Sequence, residues 1–277
     1  MRRLGLADLP AALRFTQQQN WSHRLEDWEF HVRLGRGWAA CDRGGELLGT
    51  AVWWPWGASV GTVGLVLVRN DRQGQGIGAR LMDVVLEDAG ARTLHLVATQ
   101  AGLGTYRRLG FVERGAILQC QGHLARVPLP VQPVDASLRS ASGSDLDSLC
   151  ELDEHAFGAP RPQLIRAVHE AGGGGIVAIR AGAPAGFALQ RLSGRGMLIG
   201  PVVAQDELLA IALVSRLLAS GSGFTRADIP ADAEALAAHL AAAGIARVDE
   251  YACMVRGEPR PRHRAAQTYA LASQALN

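Results

Sequence analysis

The sequence predicts an α/β protein whose two halves repeat one order of helices and strands. A segment with three prolines in eight positions, residues 127–134 (VPLPVQPV), divides the chain of 277 residues nearly in half. Proline favours extended and semi-rigid connections. On either side of this segment the hydrophobic patterns occur in the same order, at an offset of about 137 residues, which is typical of an internal duplication. Each half therefore predicts a mixed sheet with helices on its faces.

In each half two helices come first. The first of them opens near Asp8 in the first half and near Asp145 in the second half, and both aspartates are plausible N-caps. Paired strands around a turn follow, and then a strand that leads into an amphipathic helix, a further strand, a helix and a last strand. The strands are predicted at residues 38–43, 46–54, 63–68 and 94–98 in the first half and at residues 176–180, 185–192, 198–204 and 224–229 in the second. This order predicts domains at residues 1–126 and 135–277, joined by a linker at residues 127–134.

The composition excludes several classes of function. The chain is 48% hydrophobic and 19% charged, so it can bury a sizeable core. A formal net charge of +2 is too near neutral to require nucleic acid or an acidic membrane as a partner. All 28 basic residues are arginine, so a P-loop lysine, a Schiff-base lysine and a kinase-type phosphate lysine are all absent.

The four cysteines form no CxxC pair and the eight histidines form no HxxxH pair, so we expect neither a disulfide framework nor a metal site. No apolar run approaches the roughly 18 residues that a membrane span needs. Asp8 and Pro10 interrupt any signal-like core near the start of the sequence. We therefore expect a soluble cytoplasmic protein with no nucleic-acid or membrane partner.

A glycine-rich turn between a predicted strand and a predicted helix is the sharpest signal in the first half. Residues 73–79 are QGQGIGA. Gly74, Gly76 and Gly78 let the backbone approach a ligand closely, and the first amides of the helix are unpaired donors at its positive end. The pattern therefore predicts an anion site.

Three kinds of phosphate-bearing ligand use such a turn. A P-loop needs a lysine after its last glycine, where this chain has Ala79. A dinucleotide site needs a carboxylate at the end of the next strand, and residues 94–99 (LHLVAT) contain none. The third kind is the pyrophosphate of coenzyme A. A tight turn that binds no ligand is the remaining alternative.

Two motifs together resemble the GNAT superfamily of N-acetyltransferases. The pyrophosphate loop of that superfamily has the pattern R/Q-x-x-G-x-G/A, which Gln73, Gly76 and Gly78 match. A second element, A-x-x-x-Y-x-x-x-G-F, is similar to residues 102–111 (GLGTYRRLGF), with Tyr106 at the tyrosine position. The resemblance covers residues 1 to about 122, and the segment around residues 20–28 is similar to bacterial tandem GNAT proteins.

The resemblance implies two tandem GNAT-like domains, each a mostly antiparallel sheet with a splayed parallel pair of strands at its centre. In similar enzymes acetyl-CoA lies between these two strands, which here are residues 63–68 and 94–99. The implied activity is an acetyl-CoA-dependent N-acetyltransferase, in which the primary amine of a small molecule attacks the thioester directly. A non-catalytic acyl-CoA-binding regulatory protein is the alternative.

By position, the resemblance assigns Tyr106 as the general acid that protonates or hydrogen-bonds the departing sulfur. The backbone of residues 66–68 would pair with the pantetheine arm like an added strand. The implied cofactor-binding residues are Val66, Leu67, Val68, Gln73, Gly74, Gln75, Gly76, Ile77, Gly78, Ala79 and Thr99.

All six tryptophans lie within the first 56 residues, where similar enzymes build the acceptor pocket. We expect an aromatic slot for a cationic or apolar amine, with burial in the core as the alternative. The predicted acceptor-binding residues are Trp21, Trp28, Glu29, Trp54 and Trp56. The central strand, residues 61–68, contains no carboxylate, so the general base stays open. The candidates are Glu29, Asp27, His31, Glu113 and a mechanism in which the amine arrives neutral.

The second half departs from the family pattern at both functional positions. Aligning the halves places residues 209–214 (LAIALV) opposite residues 73–78, and Leu240 opposite Tyr106. Apolar side chains at a helix start cannot hold a pyrophosphate. We expect a degenerate GNAT-like domain that stabilises the first domain and closes the acceptor site, in a monomer with an internal pseudo-dimer or in a homodimer.

Overall fold

The computed structural model describes residues 1–126, 131–258 and 265–277, and the predicted linker therefore lies partly outside the described residues. The first half contains β1 (Arg2–Arg3), α1 (Leu9–Gln18), α2 (Leu25–Leu34), β2 (Arg36–Cys41), β3 (Leu47–Trp56), β4 (Val60–Val68), α3 (Ile77–Ala89), β5 (Thr93–Ala98), α4 (Gln100–Arg108) and β6 (Val112–His123). The second half contains β7 (Ala136–Ser140), α5 (Leu146–Phe157), α6 (Pro162–Glu170), β8 (Gly175–Arg180), β9 (Ala183–Ser193), β10 (Gly196–Ala204), α7 (Glu207–Ser220), β11 (Phe224–Pro230), α8 (Glu234–Ala242), β12 (Ala246–Arg256) and β13 (Gln267–Ala270).

One mixed sheet runs through both halves. Its path follows the order β1-β2-β3-β4-β5-β12-β6-β11-β10-β9-β8-β7, and β13 pairs with β10 off this path. Each half contributes one parallel pair, β4 with β5 and β10 with β11, and the other pairs of neighbouring strands in the described residues are antiparallel. The predicted fold class, a mixed α/β sheet in two tandem units, is confirmed.

The last long strand of each half lies in the sheet of the other half. β12 of the second half pairs antiparallel with β5 of the first, from Ala98–Ala252 to Leu94–Arg256. β6 of the first half pairs antiparallel with β11 of the second across residues 117–123. β6 and β12 also pair with each other, side by side at the centre of the sheet. Neither half therefore completes its own sheet.

Helices cover both faces of this sheet. The helices α1, α2, α5 and α6 share one hydrophobic core with the sheet, and this core contains residues of both halves. We call this side the front face. The helices α3 and α4 pack in a second core and α7 and α8 in a third. Trp53 and Trp54 are neighbours on β3 but belong to the second core and the front core respectively, because successive side chains of a strand point to opposite faces.

The first helix of each half begins with a short 3₁₀ turn, at Leu6–Asp8 and at Gly143–Asp145. Asp8 accepts a hydrogen bond from the amide of Gly5 and Asp145 from the amide of Ser142, both at 2.8 Å. The carboxylate of each aspartate therefore accepts a hydrogen bond from the backbone amide three residues before it in the chain. Asp8 and Asp145 are the N-cap residues of α1 and α5, as predicted, but their side chains make no capping hydrogen bond to these helices.

None of the helices in the described part of the chain is long and apolar enough to cross a membrane.

The exchanged strands predict that the halves depend on each other for folding. Expressed alone, residues 1–126 would leave β5 without β12 and would leave β6 without either neighbour, and unpaired strand edges are both unstable and prone to aggregate. We expect the full chain to unfold in one cooperative transition in urea, followed by circular dichroism, and the fragment to show none. Mixing it with a fragment of residues 131–277 should restore the transition. A monomeric fragment 1–126 with its own cooperative transition would contradict this dependence.

Candidate active site

In the first half the parallel strands β4 and β5 part from each other at Gly64. They pair from Val60–Thr93 to Val63–Leu96, and no residue of β4 beyond Val63 pairs with β5. Among the described residues no other strand lies between them. We call the space between residues 64–68 and residues 97–99 the first gap. Backbone groups along such a gap are available to an extended ligand, which can bind as an added strand.

A β-bulge shapes the edge of the first gap on β4. Thr50 of β3 pairs with Leu67 and Val52 pairs with Gly64, so Ala51 alone opposes Leu65 and Val66. The Thr50 hydroxyl donates to the carbonyl of Leu65 at 2.8 Å. Leu65 has a φ of 50°, a left-handed conformation that is rare for a residue with a Cβ. Bulges of this kind turn the backbone and interrupt regular pairing, and they are common beside active sites.

The glycine loop and the start of α3 close the far end of the first gap. Gly74 and Gly76 both have φ of 75°, and no atom lies within 4 Å of where a Cβ would be at either residue. Gly76 is the N-cap of α3, no side chain caps the helix, and its first turn contains no acidic residue. The amides of the first turn are therefore free for an anion, in the field of a 13-residue helix.

The predicted cofactor-binding residues follow this path from gap to loop. Val66 and Val68 are half-buried on β4, and residues 73–76 are exposed. The Gln73 side chain donates to the carbonyl of Val68 at 3.3 Å and to Asn70 at 3.1 Å, so it holds the loop against the end of β4. Thr99 follows β5 directly and begins α4 as its N-cap.

Tyr106 lies on α4, which begins where β5 ends at the first gap. Its ring lies back along the helix, so that a Cβ at Gly102 would be 2.7 Å from Tyr106 Cε2. The edge of the Phe111 ring packs against it with 5.9 Å between ring centroids. Burial raises the pKa of Tyr106 to about 12. The phenol is therefore protonated throughout the physiological range and can act as a donor.

Three of the predicted acceptor-binding residues lie in the front core. Trp28, Trp54 and Trp56 are each 0% exposed. The Trp54 indole donates to the carbonyl of His31 at 2.9 Å, and the Trp56 indole donates to the Thr62 hydroxyl at 3.0 Å. These side chains are packed between the first two helices and the sheet, and their indole N–H groups donate to acceptors inside the protein. The structure thus corrects the expected aromatic slot at these three positions.

The other two predicted acceptor-binding residues, Trp21 and Glu29, remain partly exposed to solvent. Trp21 is half-buried and contacts the ring of His23, with 5.8 Å between ring centroids. Glu29 is also half-buried, and its carboxylate pairs with Arg33, one helical turn away, at 3.3 Å. Such i,i+4 pairs are typical of a solvated helix surface.

A buried ion-pair cluster joins α2 to the second half. Asp27 accepts hydrogen bonds from Arg24 and from the amide of Gly194, each at 2.9 Å, and lies 3.4 Å from Arg191 Nη1. Burial raises the pKa of Asp27, but these hydrogen bonds outweigh it and hold the pKa below its usual range. The Arg191 guanidinium also stacks on the ring of Phe30, 4.3 Å from its centroid. The sequence contains a local signal only for Arg24 and Asp27, which have the spacing of a capping box.

His31 sits between this cluster and the first gap. Its Nδ1 lies 2.6 Å from the carbonyl of Asp27, and because a carbonyl can only accept, Nδ1 carries the proton. Its Nε2 then accepts from the hydroxyl of Ser273, at 3.2 Å. Burial lowers the pKa of His31 to about 3. The imidazole is therefore neutral at physiological pH.

None of the candidate bases is free for that role. The Asp27 carboxylate is held by its arginines, Glu29 pairs with Arg33, and Glu113 pairs with Arg107. His31 uses both ring nitrogens, and its lowered pKa makes it a weak base. The mechanism in which the amine arrives neutral is the one that the side-chain positions leave intact.

The second half has a different structure at the same places. Only Gln205 and Asp206 separate β10 from α7, and the Asp206 carboxylate caps the helix by accepting from the amide of Leu209 at 2.8 Å. The counterpart of Gly76 is therefore Asp206, and the expected alignment of residues 209–214 with the glycine loop is corrected, because the second half lacks the loop altogether. Leu240 does occupy the position of Tyr106, at the seventh residue of its helix.

The protonation of His31 predicts a pH dependence of stability. The pKa of His31 is about 3 in the folded state, against 6.5 for an ordinary histidine. Below pH 6.5 the imidazole therefore becomes protonated in the unfolded chain while it stays neutral in the folded chain. Stability is therefore lost as the pH falls, by about 1.5 kcal/mol between pH 6.5 and 5. Urea denaturation at several pH values measures this loss. We expect His31→Gln to reduce it and the control His155→Gln, at an exposed position, to keep it; an unchanged slope in His31→Gln would contradict the assignment.

Comparison with known proteins identifies the family. Residues 33–113 and residues 149–270 each match a family model described as acetyltransferase (GNAT) domain. The uncharacterized N-acetyltransferase YitH of Bacillus subtilis (strain 168) is 29% identical over 217 residues, which cover 78% of this chain and 76% of the relative.

A second relative and a solved structure agree with this assignment. The L-methionine sulfoximine/L-methionine sulfone acetyltransferase of Pseudomonas paraeruginosa (strain DSM 24068 / PA7) is 31% identical over 144 residues, which cover 43% of this chain and 83% of the relative. A solved structure of a tandem GNAT protein from the clavulanic acid biosynthesis pathway has the same fold, with a TM-score of 0.64 at 17% identity over 94% of this chain and 98% of that chain.

The predicted family is confirmed by these matches, and acetyl transfer is the activity that its members share. The chain belongs to the GNAT family of acetyltransferases and carries one domain of that family in each half.

Proposed function

We propose that the protein transfers the acetyl group of acetyl-CoA to the primary amine of a small molecule, at a single site in its first half. The observation that carries this proposal is the first gap, which opens at Gly64 and leads to an uncapped helix start at Gly76. The second half has neither feature, since β13 pairs with β10 and Asp206 caps α7.

The residues present fit coenzyme A. The backbone of residues 66–68 lines the first gap and suits the amides of an extended pantetheine arm. Gly74, Gly76 and the first amides of α3 suit a pyrophosphate, because the left-handed glycines expose backbone amides and the helix start is positive. When bound, acetyl-CoA would supply an acetyl group activated as a thioester.

Tyr106 has the properties that a donor to the departing sulfur needs. It lies on α4, which begins at the end of β5, and among the described residues its hydroxyl has no hydrogen-bond partner. A pKa of about 12 keeps the proton on the phenol until negative charge develops beside it. Tyr106 would then stabilise that charge by hydrogen bonding or by proton transfer.

The class of acceptor is also a proposal. The relative named for L-methionine sulfoximine and L-methionine sulfone suggests a small amino-acid-like amine, and it aligns with this chain over 144 residues. A binding protein without turnover is the alternative, and the absence of a free candidate base in the first half favours it. Measuring binding and turnover separately distinguishes the two.

The glycine loop predicts the first binding experiment, a calorimetric titration of acetyl-CoA into the wild type and into Gly76→Glu. We expect one site per chain in the wild type. In the variant we expect a loss of at least about tenfold in affinity, because the added carboxylate takes the place of the phosphate at the helix start. Gly182→Glu is the matched control, since Gly182 has φ of 80° and open space around its Cβ position on a distant turn. Equal affinities in all three proteins, or no binding to the wild type, would exclude the proposed site.

The position of Tyr106 predicts a separation of binding from turnover in Tyr106→Phe. The variant keeps the ring and its packing against Phe111 but loses the donor, so we expect kcat to fall about 100-fold while the Kd for acetyl-CoA stays within twofold. Thiol release in the presence of a panel of amines that includes L-methionine sulfone measures kcat. Normal turnover in the variant would remove Tyr106 from the mechanism, and no turnover by the wild type with any amine would favour the binding protein.

A further inference from the structure

The second half contains a gap like the first gap, but the chain itself fills it. β10 and β11 pair in parallel only from Met197–Thr225 to Ile199–Ala227. Beyond that point β13 pairs antiparallel with β10, from Val202–Ala270 to Ala204–Gln267. The strand therefore occupies the place that an extended ligand would take in the first half.

Residues 271–277, which follow β13, run from this filled gap to the first gap. We call them the bridging segment. The amide of Leu271 donates to the carbonyl of Asp228 on β11 at 2.8 Å. The Gln274 side chain donates to Gln119 of β6 and to Asp228, each at 3.2 Å. These contacts hold the segment across the central strands of the sheet.

The bridging segment reaches the first gap at Gly64, the point where β4 and β5 part. A Cβ at Gly64 would lie 2.7 Å from the Cβ of Ala275 and 3.4 Å from Trp54 Cζ3, so Ala275 rests directly on Gly64 at the front face. The Ser273 hydroxyl donates to Nε2 of the neutral His31, at 3.2 Å. Leu276 is 0% exposed within the front core. The segment is thus packed against both α2 and β4.

A buried arginine fixes the end of the bridging segment. Arg161, 1% exposed, donates to the main-chain oxygens of Leu276 and Asn277 at 2.7 and 2.9 Å. Its other nitrogens donate to the Asp153 carboxylate at 2.6 and 2.9 Å, and its guanidinium stacks on Phe157, 3.7 Å from the ring centroid. An arginine so fully paired and buried holds its partners in one geometry.

We propose that residues 273–276 form the acceptor-side wall of the site in the first half, and that Ala275 sets the size of the group admitted beside the acetyl group. This inference rests on the proposed function. The order of sites along the first gap supports the placement. If the phosphates lie at Gly76, the arm extends along residues 66–68, and its thioester end reaches the point near Gly64 where the strands part and where Ala275 lies.

The small residues at this contact are what gives it selectivity. Gly64 has no side chain and Ala275 has a single methyl group, so each added carbon at position 275 removes space next to the acetyl group. Because the segment is anchored at Gln274, Ser273 and Arg161, it cannot move aside cheaply. The second half would thereby contribute to acceptor choice although it has no open gap of its own.

The position of Ala275 is tested without knowing the acceptor, by treating Ala275→Cys with bromoacetyl-CoA. The introduced thiolate would displace bromide from the methylene carbon, forming a carbon–sulfur bond and releasing the thiol proton to solvent. Digestion and mass spectrometry locate the label. We expect labelling at position 275 to be at least tenfold faster than at the exposed control Ala241→Cys, and to be suppressed by excess acetyl-CoA. Wild-type protein reports any labelling of Cys253 and the other native thiols.

The role of Ala275 in acceptor choice is tested by Ala275→Leu and Ala275→Gly with L-methionine sulfone or the best amine of the panel. We expect the leucine variant to lower kcat/KM for the amine at least tenfold, the glycine variant to raise it, and the Kd for acetyl-CoA to stay within twofold in both. Ala241→Leu is the matched control. Failure of the wild type to bind acetyl-CoA would exclude the proposed function itself. Normal binding with slow labelling at position 275, or with unchanged or increased turnover in the leucine variant, would exclude the wall.

Discussion

The antiparallel pairing of β6 with β12 is the contact on which the rest of the structure depends. Each of these strands comes from one half and continues the sheet of the other, so the order β5-β12-β6-β11 joins two units into one sheet. Because the pairing is reciprocal, the two front faces lie on the same side and share one core. The first turn of α2 then meets the β9–β10 turn, where the amide of Gly194 donates to Asp27. The α5–α6 loop meets the β3–β4 turn, where a Cβ at Gly57 would lie 3.1 Å from Pro160.

The two halves have nearly the same arrangement of strands and helices, but they differ at two places: the gap between the parallel strands and the start of the helix beyond it. In the first half the strands part, and the helix start beyond them is left without a cap. In the second half a strand of the chain fills the gap, and the Asp206 carboxylate satisfies the helix start. For the coenzyme A site that we propose, the replacements are chemically matched, since main chain stands in for the amides of an extended arm and a carboxylate stands in for a phosphate. Buried backbone and helix-end amides need partners in either case, so a half without a ligand is stable only if the chain supplies them.

The features that the sequence predicted well are those encoded over a few residues. The glycine loop and Tyr106 occupy their expected places because glycine conformation and helix register are local properties. The tryptophans illustrate the limit, because periodicity cannot tell a core indole from a pocket wall when both face the first two helices. The exchange of β6 and β12, and the pairing of Asp27 with Arg191, join residues more than a hundred positions apart and leave no pattern in one sequence. The misalignment at α7 has a simpler cause: the connection from β10 to α7 is shorter than that from β4 to α3, which shifts every later position, while apolar helix residues match at many offsets.

Joining the two units in one chain permits an arrangement that a symmetric dimer cannot have. In a dimer of identical subunits, a segment that fills one gap fills its symmetry mate as well, and both sites are lost. In a single chain the two halves have different sequences, so one gap can be filled while the other stays open. One continuous stretch of chain then has two roles: β13 fills the second gap, and the bridging segment, residues 271–277, continues to Gly64 at the first gap. The stability of the filled gap fixes the position of the segment at the open one, so the filled gap would supply a rigid wall for the site that we propose in the first half.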